Sequence, residues 1–145
     1  MARLSIIILI SGMLLNSCSV KSGKKDKAES DYAPLTLQEQ EMGFSLYRSK
    51  CMNCHMANGQ GLKAFYPPLA GSDFLKKNVT KSLGMVKYGA NIPIKVNGEK
   101  YQNLMPVSGL QDEELVTVFN YVLNSWGNRY GRVTLEDVRK AKPQK

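Results

Sequence analysis

The sequence predicts one α-helical domain behind a short apolar leader. Three observations predict it. Apolar residues recur at helical spacing in two stretches, 37–50 and 112–126, and each stretch opens on a helix-start signal. The one clear strand signal is a single Asn-Gly hairpin between residues 94 and 101. At 145 residues and 43% apolar content the chain can bury one modest core, and 22% charge is ordinary for a folded domain. Three Cys cannot build a disulfide framework, and one His excludes a His-rich metal site or a two-histidine relay.

In chain order, residues 1–17 read as an export signal, with Arg3 ahead of an apolar run from Leu4 to Leu15. Twelve residues are too few to span a bilayer, which takes about 20. Leu14-Leu15-Asn16-Ser17-Cys18 resembles the lipobox of bacterial lipoproteins. That resemblance implies a lipid on Cys18, several acyl chains giving a firm anchor, and location at the periplasmic face of a bacterial membrane. Ser19 in place of Asp after Cys18 points to the outer membrane. Residues 18–33 are polar and aperiodic, as in a flexible tether.

The domain is expected over 34–127. Thr36-Leu37-Gln38-Glu39 fits a capping box, with Leu37, Gln40, Phe44 and Tyr47 on one stripe of the helix that follows. Gly43 weakens that helix. A middle helix is expected over Val79–Lys87, ending at Tyr88-Gly89. The hairpin, Ile94–Tyr101, forms a small flap. The last helix starts near Asp112, with three acidic residues in its first turn, and carries Leu115, Phe119, Val122 and Trp126 inward until Gly127 stops it. Residues 128–145 form a basic tail with 6 basic and 2 acidic residues; Thr134-Leu135-Glu136-Asp137 either starts a short helix or is loosely ordered. The net charge of +8 sits mainly in these flanks, and no nucleic-acid motif accompanies it.

Cys51-Met52-Asn53-Cys54-His55 is C-x-x-C-H, the attachment pattern for haem c. Two thiols one turn apart reach two vinyl groups, and the next His lies where it can donate nitrogen to iron. A thioredoxin-like site would need a βαβ context, which is missing. A structural zinc site needs four ligands, and only Cys51, Cys54 and His55 are near one another in sequence.

With these residues the chain resembles the class I c-type cytochromes over about 36–127. The resemblance implies an all-α class I cytochrome c fold, with helices around one covalently attached haem and a hairpin flap before a Met loop. It implies one-electron transfer rather than catalysis. Met105 precedes Pro106 outside any helical pattern, and a residue before Pro is extended. The family's Met-Pro matches Met105-Pro106, so the axial pair is expected to be His55 and Met105. Gly43 matches the family's glycine where the first and last helices cross. Gly59 and Gly61 follow the motif as in the family's pattern. Pro67-Pro68-Leu69 resembles the family's Pro-x-Leu, which makes the Pro67 carbonyl the acceptor for His55 Nδ1, with Pro68 the neighbouring register.

The stretch 105–128 resembles cytochromes that occur alone, or fused to or beside copper nitrite reductases and quinoprotein dehydrogenases. This chain departs at Met56, where many have Gly, and at Gln102-Asn103. Tyr88, Tyr101 and Trp126 are candidate donors to haem propionates, or plain core residues. Lys63, Lys76, Lys77, Lys81 and Lys87 form either a basic docking ring for an acidic redox partner or an ordinary solvated surface. The expected protein is a monomeric, membrane-tethered electron shuttle. The alternatives are a haem subunit of a larger oxidoreductase complex and a gas sensor or peroxidase-like protein. The last has no second His to assist peroxide cleavage.

Overall fold

The structure, a computed structural model, describes residues 34–144. The expected signal peptide, the lipidated Cys18 and the tether lie outside the described residues. The ordered elements are α1 (Leu37–Lys50), α2 (Met52–His55), α3 (Asp73–Lys77), α4 (Val79–Tyr88), β1 (Ile94–Val96), β2 (Glu99–Tyr101), α5 (Asp112–Leu123) and α6 (Leu135–Lys140). It is an α-helical body with one two-stranded antiparallel sheet.

Helix α1 starts on its capping box: Glu39 N–H donates to Thr36 Oγ1 at 3.2 Å, and Thr36 N–H to Glu39 Oε2 at 2.8 Å. It then crosses α5 at close range, because a Cβ on Gly43 would stand 2.4 Å from Tyr121 Cβ. This crossing decides the buried face. Gly43 and Tyr47 are buried, whereas Leu37 is 79% exposed, so the expected inward stripe holds only at Tyr47, with Phe44 half-exposed against Tyr121. Tyr47, Tyr121 and Trp126 pack as an aromatic cluster with ring centroids 5.0–5.7 Å apart.

Helix α3 was not anticipated, although its cap is written in Ser72-Asp73: Leu75 N–H donates to Ser72 Oγ at 3.1 Å. The hairpin pairs Ile94 with Tyr101 and Val96 with Glu99. Its tip has φ of 49° at Asn97 and 88° at Gly98, the two positive values that the tight turn demands. The tip is tied down. Asp73 N–H donates to Asn97 Oδ1 at 2.9 Å, and Asn97 N–H to Asp73 Oδ1 at 2.7 Å.

Two expectations fail at the C-terminal side. Helix α5 ends at Leu123, not near Gly127, and Trp126 stands outside it with a φ of 54°. The cause is Asn124, whose amide turns back to the carbonyls of Asn120 and Gly131, both at 2.9 Å. The packed body also continues beyond Gly127. Val133, Val138 and Ala141 are buried in the main core. Asn120 clips this segment, accepting from Val133 N–H at 2.7 Å and donating to its carbonyl at 3.0 Å. Lys87 adds a hydrogen bond to the Val138 carbonyl at 3.1 Å and an ion pair with Asp112 at 2.7 Å. Residues 128–141 are therefore part of the domain, not a solvated tail.

Candidate functional site

Helix α1 runs almost directly into α2. Cys51 N–H donates to Tyr47 O at 2.8 Å and His55 N–H to Cys51 O at 2.9 Å. Cys51, Cys54 and His55 thus sit on one helical turn, with both thiols free. Burial, helped by the nearby Cys54 sulfur, pushes the Cys51 thiol up to about 11. A redox-active dithiol needs the opposite shift. Among the described residues no group of three or more His, Cys, Asp and Glu side chains is placed to hold a metal ion.

After His55 the chain folds back on the motif. Gly61 N–H donates to His55 O at 3.0 Å, and a Cβ on Gly61 would lie 2.2 Å from Tyr66 O and 2.7 Å from Pro67 O. Only glycine lets these strands of loop approach, and the approach brings Pro67 O within 2.9 Å of His55 Nδ1. A carbonyl only accepts, so Nδ1 carries the proton and Nε2 keeps its lone pair. His55 is buried, and burial lowers its pKa against the opposing bond to Pro67. The ring is held neutral and ready to ligate.

Met105 approaches from another part of the chain. Its segment forms an isolated antiparallel bridge with Ala90, Ala90 N–H to Met105 O at 2.9 Å and Met105 N–H to Ala90 O at 2.8 Å. His55 and Met105 line the same crevice, which has a deep lobe among core residues and an outer lobe among more exposed ones, both partly open to solvent. Met85 and Ile94 line both lobes as well. The deep lobe adds Cys51, Leu69, Phe74, Val96 and Phe119, and the outer lobe adds Cys54, Phe65, Tyr101 and Leu104. This apolar lining suits a flat, largely apolar cofactor.

Other candidates fall differently. Trp126 Nε1 is committed to the Ala57 carbonyl at 3.2 Å, and neither Trp126 nor Tyr88 lines the crevice. Of the three aromatic donors only Tyr101 reaches it. Lys87 is paired with Asp112, and Lys81 stands 5.8 Å over the Phe74 ring, so the five lysines are not one free ring. Sequence reasoning also missed Gly89 and Ala90, which set the Met105 segment. The glycine and its neighbour were visible, but the bridge pairs residues 15 apart.

The Cytochrome c family profile matches residues 40–126. The chain belongs to the cytochrome c family. Proteins of this family are electron carriers, and they bind haem c covalently. Over 113 residues this cytochrome is 33% identical to cytochrome c-552 of Thermus thermophilus, covering 71% of this chain and 86% of that one. It is 32% identical over 102 residues to the cytochrome c subunit of a quinone alcohol dehydrogenase of Gluconobacter oxydans, covering 68% of this chain and 21% of that one. It is 28% identical over 116 residues to the fructose dehydrogenase cytochrome subunit of Gluconobacter japonicus, covering 74% and 23%. The residues of this cytochrome fit haem c: two adjacent thiols, a neutral buried imidazole, a thioether in the same crevice and an apolar wall. When bound, the group supplies a one-electron iron couple. Among the described residues, no helix is long and apolar enough to cross a membrane.

Proposed function

We propose that this cytochrome carries single electrons through an iron held by His55 and Met105, with Cys51 and Cys54 as the covalent attachments and Pro67 as the acceptor that orients His55. The observation that carries the reading is the shared crevice: His55, tautomer set by Pro67 O at 2.9 Å, and Met105, backbone pinned to Ala90, line both of its lobes. Two protein ligands leave no open position for a substrate. A thioether beside an imidazole favours a relatively positive potential. Cys18 anchors the chain by lipid to the periplasmic face of a membrane, the outer one by Ser19, and residues 18–33 act as its tether.

The partner surface is the opening of the outer lobe. Phe65 and Leu104 line that lobe and are 55% and 65% exposed. Exposed Lys63 lies two residues before Phe65, and Lys76 and Lys77 are exposed on α3. An apolar rim of this kind favours a second reading, a haem subunit docked in a larger oxidoreductase. The names of the Gluconobacter relatives point the same way.

The test is the absorption spectrum of the haem-loaded protein, oxidised and reduced, before and after carbon monoxide. A low-spin spectrum with the weak red sulfur-to-iron band, indifferent to carbon monoxide, is expected, and Met105→Ala should lose both properties. Ready carbon monoxide binding by the unmutated protein would turn the reading to gas sensing or peroxidase chemistry. Co-purification with a dehydrogenase in native membranes would select the subunit reading over the free shuttle.

A further inference from the structure

Pro67 and Pro68 carry no backbone N–H. The stretch that offers the Pro67 carbonyl to His55 therefore cannot hold itself with its own donors, and its flanks must fix it. On the N-terminal side Tyr66 N–H donates to the Leu62 carbonyl at 2.7 Å. On the C-terminal side residues 69–71 are held from two directions. Leu69 N–H and Ala70 N–H both donate to the Gly59 carbonyl, at 2.7 and 2.9 Å. Gly71 N–H donates to Asn128 Oδ1 at 2.9 Å, and Asn128 Nδ2 donates to the Leu69 carbonyl at 3.0 Å. The same nitrogen donates to the Val122 carbonyl of α5 at 2.9 Å. Asn128 is 2% exposed, so its amide, with both protons and its oxygen committed, ties the proline stretch to α5.

The Gly59 anchor is held in turn by Tyr47. The buried Tyr47 hydroxyl donates to the Met56 carbonyl at 2.6 Å, and Gly59 N–H donates to the same oxygen at 3.1 Å. Met56 follows His55 directly and has φ 62° and ψ 160°, a conformation that persists in a side-chain-bearing residue only where its surroundings impose it. Trp126 closes the anchor from the other side. Its Nε1 donates to the Ala57 carbonyl, and a Cβ on Gly59 would lie 2.6 Å from its ring.

We propose that Asn128 and Tyr47 are positioning residues for His55: they hold the two supports of the proline stretch, and so keep the Pro67 carbonyl on His55 Nδ1. Neither lines the crevice. This rests on His55 being the iron ligand, whose basicity the Nδ1 bond raises.

The experiment reads the His55 Nδ1 proton by NMR in the reduced, haem-loaded protein labelled with nitrogen-15 histidine. His55 is the one histidine of the chain, so the signal needs no further assignment. Its exchange with water is compared in the unmutated protein, Asn128→Ala, Tyr47→Phe and the control Val138→Ala, which weakens the core on α6 without touching either support. Covalent haem is verified by mass in each sample. Exchange about fivefold faster than in Val138→Ala, the factor that losing one ordinary hydrogen bond gives, is expected in both positioning variants, with the signal moved upfield. Exchange no faster than in Val138→Ala in either variant would overturn the proposal, because the residues would then serve stability alone. Tyr47→Phe keeps the ring and removes only the donor, so it decides the matter even where Asn128→Ala does not fold. The two readings fail separately: loss of the ligand reading would show in the absorption spectrum of the unmutated protein, loss of this one only in the variants.

Discussion

Replacing Gly89 by Ala should loosen Met105 without touching it. Gly89 has φ 77° and ψ 171°, a region that only glycine occupies freely, and a side chain there costs about 1–3 kcal/mol. The added Cβ would also lie 3.0 Å from Met105 O and 3.2 Å from Val107 N. Both atoms belong to the segment that the Ala90 bridge holds with bonds of 2.9 and 2.8 Å. Relief requires that segment to retreat, weakening one or both bonds at about 1 kcal/mol each. The sum is about 2–5 kcal/mol of lost stability, concentrated where the sulfur is presented. The assay is the red sulfur-to-iron band and carbon monoxide binding by the reduced protein, with urea unfolding alongside. Gly98→Ala is the control, because Gly98 has φ 88° but nothing within 4 Å of its Cβ position. It should lower stability while leaving the band intact. A Gly89→Ala protein with a full band and no carbon monoxide binding would refute the reasoning.

Met56 has φ 62° and ψ 160°, the same glycine region, so Met56→Gly should be more stable than Met56→Ala by about 1 kcal/mol in denaturant unfolding; both lose the side chain, and only one loses the strain. An Ala variant as stable as the Gly variant would refute it. The bond from Asn97 N–H, more than any other influence, holds the Asp73 carboxyl below the usual carboxylate range. A depressed folded pKa means the clamp on the hairpin is complete above the ordinary carboxylate range and is lost as pH falls through the folded value. Protection of the Asn97 amide should then fall to that of Asp73→Asn at the same acid pH, whereas the two proteins differ near neutrality. Val138→Ala should cost about 2 kcal/mol in urea unfolding, since Val138 is fully buried; a change under about 0.5 kcal/mol would restore the picture of a solvated tail.

Local signals were legible. The capping box of α1 and the Asn97-Gly98 turn are each written within four or five residues, and the structure has both. The Ser72 cap of α3 was equally local and was overlooked. The face that α1 buries was misread, because Gly43 and its close crossing with Tyr121, not the apolar stripe, choose it. At the site, C-x-x-C-H places Cys51, Cys54 and His55 on one turn by helical spacing alone. That Met105 lies on the same crevice depends on the bridge to Ala90, which no periodicity encodes.

The sequence by itself determined the chemistry: one His, two spaced thiols, a Met before a Pro, and a first helix that begins at its capping box. These rest on covalent spacing and hydrogen bonds within a turn, which need no tertiary partner. Only the tertiary structure decided where α5 ends, that residues 128–141 belong to the core, and which donors are already taken. Those outcomes depend on Asn120, Asn124, Trp126 and Lys87 meeting carbonyls 4 to 69 residues away. A buried polar group must be satisfied by whatever the fold brings within reach, and what that is depends on the whole packing rather than on the neighbouring sequence.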